Sequence, residues 1–357
     1  MHWVLSKFSN VLITLFGVVT IVFFLFNILP GDPAQMMLGQ NEDSKQIEIV
    51  KKKYGFDKPV FVQYLYYLND LSPISIHFKD IENISNLDSK KYNFVRIVSI
   101  NKVDLVLKTP FLRESYQKKG VYVSEIIGNT LPNTIALASA SILISIFLGF
   151  FLGIFSALNK NTWFDYLVQF FSTLGMSVPS FFSAIIFAWI FGFILHDYTS
   201  LNMTGSLYEL DDYGESVRIN LKNLILPSLV LGIRPVAVIS QMMRNSLIKV
   251  LSQNYIRTAY SKGLSKFVVI KDHAIKNSLS PVITTLSGWF ASMLAGSVFV
   301  EYIFGWNGLG KEIVDSLNTL DIPVLMGAVL TIAFIFILIN IFVDVIYSVL
   351  DPKVKLN

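Results

Sequence analysis

The sequence predicts an all-α integral membrane protein with six transmembrane helices and an external α/β module between the first and second of them. Only 15% of the 357 residues are charged, against about 25% in soluble domains, and 53% are hydrophobic. The apolar residues fall in blocks of about 20 to 27, the length that a helix needs to cross about 30 Å of hydrocarbon. Cysteine is absent, which excludes disulfides, thiolate metal sites and cysteine nucleophiles, and the small net charge of +4 indicates no nucleic-acid partner.

The apolar blocks are the candidate transmembrane helices. The first has the position of a secretory signal, but its apolar run is longer than such a segment needs and no small-residue cleavage sequence follows, so we expect an uncleaved helix. The predicted spans are Asn10–Leu29, Asn133–Leu158, Tyr166–Leu195, Leu224–Met243, Val282–Ile303 and Val324–Leu350.

Basic residues indicate which loops face the cytoplasm. The segment between the fourth and fifth predicted spans is rich in Lys and Arg, and the C-terminal tail carries Lys353 and Lys355, whereas the loop after the fifth span carries only Lys311. Because Lys and Arg in short loops mark the cytoplasmic side, both termini and the basic segment are predicted to be cytoplasmic. The long stretch 31–124 then lies outside, since long loops translocate largely regardless of charge.

The outer stretch is expected to fold as a small module. Gln46–Tyr54 and Val60–Leu71 have helical apolar spacing, and Asn93–Leu107 is rich in the β-branched residues typical of strands. No repeat or low-complexity linker divides the rest of the chain. The predicted organisation is a first helix over 1–30, the external module over 31–124, and a five-helix core over 125–357 that includes a cytoplasmic loop at 249–281.

A glycine-rich segment, residues 305–311, has the spacing of a phosphate-binding loop. The next residue is Glu312, where magnesium binding calls for Ser or Thr, and a carboxylate there repels phosphate. The segment also follows a predicted span instead of a buried strand. We therefore expect a glycine-rich turn with Trp306 at the membrane interface.

The sequence offers no catalytic or metal-binding constellation. His2, His77, His196 and His273 are scattered without ligand spacing, and each is expected at a surface or an interface. The predicted spans contain no nucleophile elbow and no carboxylates paired as an acid and a base. The chain is therefore predicted not to be an enzyme, and Asp344 in the last span is expected to make a polar contact inside the helix bundle.

Arg234 and Pro235 lie midway along the fourth predicted span. An arginine at the centre of a membrane helix costs about 2.5–3.5 kcal/mol, which the neighbouring Leu, Ile and Val residues just offset. Arg234 is therefore expected to avoid lipid. It either lines a polar translocation path or meets an acidic group there, with Pro235 loosening the helix, or it contacts a structural partner on another helix.

The basic segment contains an amphipathic stretch. Ile256, Tyr260, Leu264 and Phe267 follow i, i+4, i+8, i+11 spacing and form one predicted apolar stripe. Gly263 interrupts this helix and permits a change of direction. Such a helix either seats its stripe in a groove of a partner protein or lies on lipid headgroups, and the spacing alone does not choose between the two.

Tyr255–Leu264 and several other separated motifs resemble those of the permease subunit of ABC importers of the dipeptide and oligopeptide type. Tyr255–Leu264 resembles that subfamily's version of the EAA loop, with Arg257-Thr258-Ala259 in the Glu-Ala-Ala place and Gly263 as the loop glycine. Similar motifs follow one another in the family's order at Leu29–Pro33, Tyr54–Pro59, Gln63-Tyr64, Leu131–Thr134, Ser177–Phe181, His273–Pro281, Glu301–Gly310 and Asp351-Pro352.

The resemblance implies a type I ABC importer permease with six spans in a bacterial inner membrane. It also implies a second homologous permease, two cytoplasmic ATPase subunits that hold ATP and magnesium, an extracytoplasmic solute-binding protein, and peptide transport by alternating access. The chain itself would carry no cofactor, metal or catalytic residue. The implied ATPase-coupling residues are Tyr255, Ile256, Arg257, Thr258, Ala259, Tyr260, Ser261, Lys262, Gly263, Leu264 and Phe267.

The stretch 73–119 departs from the family, as a longer insertion without the usual short glycine-rich element. The resemblance also leaves the substrate open, because the same scaffold handles nickel complexes and some sugars. A secondary transporter driven by a proton or sodium gradient is the alternative function, although the predicted spans hold almost no mid-membrane carboxylate. A non-transporting membrane scaffold that carries the external module is a third.

Overall fold

The chain divides into two compact units, which are described separately. A computed structural model describes residues 2–27, 32–38, 44–80, 84–88, 91–210 and 216–350, and these are mostly helical. The first unit comprises Met1–Leu5, Thr130–Val314 and Ile332–Asn357, and the second unit comprises Ser6–Asn129 and Asp315–Thr331.

Helices account for most of the described residues, and short strands for the rest of the regular structure. The α-helices are α1 His2–Asn27, α2 Pro33–Leu38, α3 Ser44–Tyr54, α4 Val60–Leu71, α5 Val123–Leu158, α6 Trp163–Ser177, α7 Ser180–Phe187, α8 His196–Thr199, α9 Lys222–Leu251, α10 Asn254–Ser261, α11 Lys266–Val268, α12 Lys276–Gly296, α13 Val298–Ile303, α14 Leu309–Thr319 and α15 Ile322–Leu350. Two π-helical segments, Ala188–Ile194 and Val269–Ile275, follow α7 and precede α12. The strands are β1 Ile74–Phe78, β2 Phe94–Ile100, β3 Val103–Lys108, β4 Tyr208–Leu210 and β5 Val217–Ile219.

Four of the described helices are long and apolar enough to cross a membrane. They correspond to the first, second, fourth and sixth predicted spans, although residues 28 and 29 of the first lie outside the described part of the chain. α5 begins ten residues before its predicted span, because its first turns are helical but polar and hydropathy alone misses them. The four apolar segments are Ser9–Asn27, Val123–Leu158, Lys222–Leu251 and Ile322–Val343.

The third predicted span, Tyr166–Leu195, is wrong as a single straight helix. The two helical segments Trp163–Ser177 and Ser180–Ile194 meet at a bend of 109°. Val178 has extended backbone angles, with φ −81° and ψ 131°, as a residue before proline prefers. Pro179 then supplies no N–H group to continue the helical hydrogen bonds of α6.

The fifth predicted span, Val282–Ile303, is divided between two helices. α12 ends at Gly296 and α13 begins at Val298. Neither is among the described helices that are long and apolar enough to cross a membrane by themselves. The described residues thus contain four candidate spans, or up to five if the bent pair is one span, and the prediction of six is not confirmed.

The second unit contains the predicted mixed structure. α3 and α4 form where the apolar spacing predicts them, and β2 and β3 form an antiparallel hairpin inside Asn93–Leu107 and one residue beyond it. β1, which the sequence did not predict, pairs with β3 on its other side, so the strand order is β1-β3-β2. The buried face of this sheet is largely polar, whereas Ile74, Ile76 and Phe78 of β1 are exposed on the other face.

His77 corrects one expectation about the histidines. It lies on the buried face of the sheet and is inaccessible to solvent, not at a surface. Its Nε2 is 2.9 Å from Ser75 Oγ, and its Nδ1 is 3.2 Å from the Ser85 carbonyl oxygen. The ring is tolerated inside the unit because both of its nitrogens have polar partners.

Candidate functional site

The candidate site is the segment 255–267, in which two helices are joined by a tight turn. Gly263 follows α10 with a φ of +82°, a conformation that glycine adopts without steric cost. The Gly263 amide donates to the Tyr260 carbonyl at 2.9 Å, and the Leu264 amide donates to the Ala259 carbonyl at 3.3 Å. This is the Schellman pattern that closes a helix. The prediction that Gly263 interrupts the helix is confirmed.

α10 has one buried face, which fixes it to the rest of the first unit. Ile256 and Ala259, three positions apart, are 1% and 7% exposed. They pack in an apolar cluster that includes Met243 of α9 and Val282 of α12. α10 is therefore anchored to two longer helices through side chains that water does not reach.

The rest of the α10 surface, together with α11, exposes aromatic side chains and cations. Tyr255 and Tyr260 are 44% and 43% exposed, and Phe267 is 73% exposed. Arg257 and Lys262 are exposed on the same segment. An exposed apolar patch with a polar rim is typical of a protein or membrane contact site. The other implied coupling residues on this side, also exposed, are Thr258, Ser261, Gly263 and Leu264.

The predicted single stripe of Ile256, Tyr260, Leu264 and Phe267 is wrong. Ile256 is buried, whereas the other three are exposed. The spacing argument assumed one continuous helix. Tyr260 lies before the turn, at the edge of the buried face, and remains exposed. The turn at Gly263 ends α10, so Leu264 and Phe267 do not continue that face.

A buried ion pair joins the ends of α5, α6 and α9 in the first unit. Asp165 is inaccessible to solvent, and its two carboxylate oxygens accept bonds of 2.6 Å from Nε and Nη2 of Arg244. Ser156 Oγ donates to Oδ1 at 2.5 Å, and the Asn161 amide donates to Oδ2 at 2.9 Å. Bidentate pairs of this kind are stronger than single neutral hydrogen bonds and fix the orientation of both partners.

Sequence reasoning missed this pair. Arg244 is the first of the basic residues that follow the fourth predicted span, and it counted there only as one of those that mark the cytoplasmic side, while Asp165 was not singled out. The signal available was the position of each charge, since Asp165 opens one apolar run and Arg244 closes another. A charge at the edge of an apolar run in a membrane protein usually has a partner.

Glu301 is a second buried carboxylate, and uncharged groups hold it. Its Oε2 accepts from the Gly310 amide at 2.7 Å and from the Lys311 amide at 3.3 Å. Its Oε1 accepts from the Ser297 hydroxyl at 2.8 Å. The two amides belong to the first turn of α14, where N–H groups lack helical partners and partial positive charge collects. Glu301 therefore stabilises the start of α14.

Side chains and backbone of α5 complete this cluster. Thr134 Oγ1 accepts from the Leu309 amide at 2.8 Å. Trp306 is fully buried, and its Nε1 donates to the Asn133 carbonyl at 3.0 Å. Asn133 Nδ2 donates to the Asn307 carbonyl at 2.6 Å. Two motifs that lie far apart in the sequence, 131–134 and 301–310, are thus one structural element.

This geometry accounts for the glycine-rich segment. The amides that would face a phosphate are occupied by the carboxylate of Glu301, and a Cβ atom at Gly308 or Gly310 would collide with that carboxylate. The segment is a turn, as predicted. The expectation that Trp306 lies at the membrane interface is wrong, because its ring is buried inside the first unit and its N–H group has an internal acceptor.

Arg234 contacts the break between α6 and α7. α9 is continuous through Pro235, which is buried, whereas Arg234 is exposed in the isolated chain. Arg234 Nη2 donates a long hydrogen bond of 3.5 Å to the Met176 carbonyl. In an uninterrupted helix the amide four residues later, that of Ser180, would use this carbonyl. The contact is to another helix, and whether Arg234 and Pro235 line a path stays a prediction.

The remaining candidate groups do not form a site within the described residues. No group of three or more His, Asp or Glu residues is placed there to hold a metal ion. His196 is exposed and His273 is half-buried. The side chains of His2 and Asp344, the first residues of the motif Leu29–Pro33, and Asp351-Pro352 with the rest of the tail lie outside the described part of the chain.

Two family profiles match the sequence. Residues 149–356 match the family described as binding-protein-dependent transport system inner membrane component. Residues 1–85 match the N-terminal profile of the membrane component of binding-protein-dependent transport systems. Together they cover α10, the buried ion pair's partners on α6 and α9, and the Glu301 cluster apart from its α5 residues.

Relatives of known name match nearly the whole chain. A dipeptide transport system permease protein of Alkalihalophilus pseudofirmus is 32% identical over 354 residues, covering 96% of this chain and 95% of its own. A di/tripeptide transport system permease protein of Pseudomonas aeruginosa is 28% identical over 356 residues, with coverages of 96% and 95%. A dipeptide transport system permease protein of Bacillus subtilis is 30% identical over 357 residues, with coverages of 100% and 98%. The stretch 73–119 lies inside the range aligned with the last of these.

Proposed function

Since the chain belongs to the family of binding-protein-dependent transport system inner membrane components, we propose that it forms the pore of an ATP-driven importer of di- or oligopeptides. As a member of this family the chain is a permease component of an ABC transporter and not itself an enzyme. The family and the apolar helices indicate a multi-pass inner membrane protein. The peptide substrate is proposed from the names of the relatives.

The proposed assembly contains a second homologous permease, two cytoplasmic ATPase subunits that bind ATP and magnesium, and an extracytoplasmic solute-binding protein. In this topology the chain has six spans, both termini are cytoplasmic, and residues 31–124 are outside. The basic residues of the segment between α9 and α12 support this orientation. A total of six spans requires that the bent pair Trp163–Ser177 and Ser180–Ile194 cross the membrane as one span and that α12 and α13 cross it as another.

The segment 255–267 is proposed to couple this chain to an ATPase subunit. The observation that supports it is that α10 is anchored through the buried Ile256 and Ala259, while Tyr255 and Tyr260 on either side of them remain exposed. A partner that grips the exposed face would move the anchored face, and with it α9 and α12. The exposed aromatic side chains suit a groove, as in helix-in-groove recognition.

Transport would then proceed by alternating access. Closure of the nucleotide sites would pull on α10 and bias the spans toward one of two arrangements. The buried Asp165–Arg244 pair supports this mechanism, because it holds the ends of α5, α6 and α9 together as one body that a pull on α9 would carry. No bond chemistry is assigned to this chain.

Two substitutions test the coupling proposal in the complete complex reconstituted in liposomes. Tyr260→Asp places a charge on the exposed face, and Gly263→Pro cannot adopt a φ of +82° and so breaks the turn. Both are expected to lower peptide uptake at least about tenfold, the effect of losing about 1.4 kcal/mol of interaction. ATP hydrolysis should persist without being stimulated by substrate.

The matched control is Tyr198→Asp, at another tyrosine that is 88% exposed and lies outside the segment. It should transport like the unaltered protein. Normal uptake by both Tyr260→Asp and Gly263→Pro would contradict the coupling role. Uptake that needs no ATPase subunit and follows a proton or sodium gradient would instead favour the secondary transporter.

A further inference from the structure

The second unit contains a cavity that the proposed function leaves unassigned. Its volume is about 740 Å³, within the range of about 300–1,000 Å³ that is usual for small-molecule sites. Aromatic rings form much of the wall. They belong to Tyr54, Tyr66, Phe111, Tyr116 and Tyr122.

Two of the charged side chains in the wall, Arg113 and Asp70, form an ion pair with each other. Arg113 Nε donates to Asp70 Oδ2 at 2.9 Å, and the guanidinium lies 5.1 Å from the centre of the Tyr67 ring. Asp70 Oδ1 also accepts from the Tyr92 hydroxyl at 3.1 Å. Lys108 donates to the Asp70 backbone carbonyl and not to its carboxylate. Asp70 is therefore committed to Arg113 and Tyr92.

Lys91 is a half-buried cation in the same wall without an ion pair of its own. Its ammonium lies 5.4 Å from the centre of the Tyr92 ring and 5.3 Å from that of Phe111. No carboxylate among the described residues pairs with it. Burial lowers the pKa of Lys91. The carboxylates of Asp70, Glu114 and Asp88 oppose this effect without forming a close ion pair, and Arg113 reinforces it. A cation in such a place gains when a ligand supplies the missing negative charge.

Glu114 is the complementary group. It lines the cavity and is half-buried, and none of its described contacts is a side-chain hydrogen bond or an ion pair. Among the charged residues of the lining, Lys52, Lys53 and Asp88 are exposed, and Asp70 and Arg113 pair with each other. Lys91 and Glu114 are therefore the half-buried charges of this wall that no close ion pair neutralises. That arrangement matches a ligand that carries a free carboxylate and a free ammonium group with apolar parts beside them.

The wall that carries Arg113, Glu114 and Tyr116 is held from behind. Asp321 accepts bonds from the Tyr116 amide at 3.0 Å and from the Gln117 amide at 3.4 Å. Burial raises the pKa of the Tyr116 hydroxyl to about 12, so it stays neutral at physiological pH. Supporting bonds of this kind hold a binding wall in place before the ligand arrives.

We propose that this cavity binds short peptides with free termini, with the C-terminal carboxylate at Lys91 and the N-terminal ammonium at Glu114. The choice of peptides among zwitterionic ligands rests on the proposed function. The pairing of a ligand carboxylate with Lys91 and of a ligand ammonium group with Glu114 does not depend on that function. The site belongs to the second unit alone and is separate from the coupling segment. It would bind peptide without ATP.

The test measures binding of three peptides to the full-length chain in detergent by calorimetry. The probes are Ala-Phe-Ala with free termini, its N-acetylated form and its C-terminal amide. The free peptide should bind at least about tenfold more tightly than either blocked form, since charge-assisted hydrogen bonds carry more than about 1.4 kcal/mol each. Lys91→Gln should abolish the preference against the amide, and Glu114→Gln the preference against the acetylated form.

The control is Lys102→Gln, at an exposed lysine of the same unit that does not line the cavity, and it should keep both preferences. Equal affinities for the three peptides, no binding of the free peptide, or unchanged preferences in the Lys91 and Glu114 variants would overturn the proposal. ATP-driven peptide uptake by the complex in any of these cases would leave the proposed function standing. If the unaltered complex showed no ATP-driven peptide uptake, that result would count against the proposed function and not against peptide binding in the cavity.

Discussion

The segments 255–264 and 301–310 use their polar and aromatic residues in opposite ways. In the second, Glu301 and Trp306 are fully buried, and each has its hydrogen-bond partners inside the chain. In the first, Ile256 is the large buried side chain, and Tyr255 and Tyr260 are left exposed. Both segments carry the family resemblance, but the side chains of 301–310 hold the fold together, whereas the aromatic side chains of 255–264 are exposed.

Substitutions in the two segments are therefore expected to have different effects on stability and on transport. Loss of a buried group that others depend on should appear as lost stability before it appears as lost transport. Loss of an exposed group should leave stability nearly unchanged and act only through a partner. The same pair of measurements, thermal unfolding in detergent and uptake in liposomes, therefore distinguishes the two segments.

Glu301→Ala is expected to have the largest effect on stability. It removes the carboxylate that accepts from the Gly310 and Lys311 amides, at about 1–3 kcal/mol for each of these bonds lost in a buried place, whereas the Ser297 hydroxyl can still donate to the Leu294 carbonyl. We expect the free energy of unfolding to fall by at least about 3 kcal/mol. Glu125→Ala, which removes an exposed carboxylate, is the control. Equal melting temperatures for the two variants would contradict the role of Glu301.

The Asp165–Arg244 pair extends the comparison to a second buried carboxylate. A cation holds Asp165, whereas uncharged groups hold Glu301. Breaking a buried pair typically costs 3–5 kcal/mol. Arg244 remains 14% exposed, so Asp165→Asn and Arg244→Gln should each cost about 3 kcal/mol. In the double variant the loss should be smaller than the sum, since each single change leaves its partner uncompensated. Additive losses in thermal unfolding would show that the pair contributes nothing as a pair.

Phe267→Ala is expected to have the smallest effect on stability, within about 0.5 kcal/mol, because the ring is 73% exposed. Peptide uptake by the complex should nevertheless fall several-fold. Ile256→Ala, the control at the buried face, should lower the free energy of unfolding by about 2–5 kcal/mol. If Phe267→Ala lowered stability as much as Ile256→Ala, the exposed face would belong to the fold and the contrast between the segments would disappear.

Local signals in the sequence predicted the local features well. The apolar blocks located α1, α5, α9 and α15, because a continuous run of apolar residues needs no knowledge of its neighbours. Gly263 was identified as a helix break because only glycine adopts a positive φ there without cost. Prediction failed where two local rules competed. At Pro179 the apolar run indicates one continuous helix, but the proline interrupts it and the chain bends by 109°.

Features that depend on distant residues were missed or mistaken. Asp165 and Arg244 are 79 positions apart, and no spacing rule relates them. Trp306 was expected at an interface because tryptophan is common there, and its buried acceptor, the Asn133 carbonyl, lies 173 positions away. At the candidate site the sequence identified the segment and its turn, whereas the division of α10 into two faces depends on how it packs against α9.

The bend at Val178 and Pro179 has a mechanical consequence. A proline offers no amide, so the hydrogen-bond ladder of α6 does not run on into α7, and turning one helix about the other there disrupts little backbone bonding. The Asp165 end of α6 is clamped to α9, while the far end stops at this joint. A movement of α9 could therefore change the angle between α6 and α7 at this joint, and the long Arg234 bond to the Met176 carbonyl would resist that change only weakly.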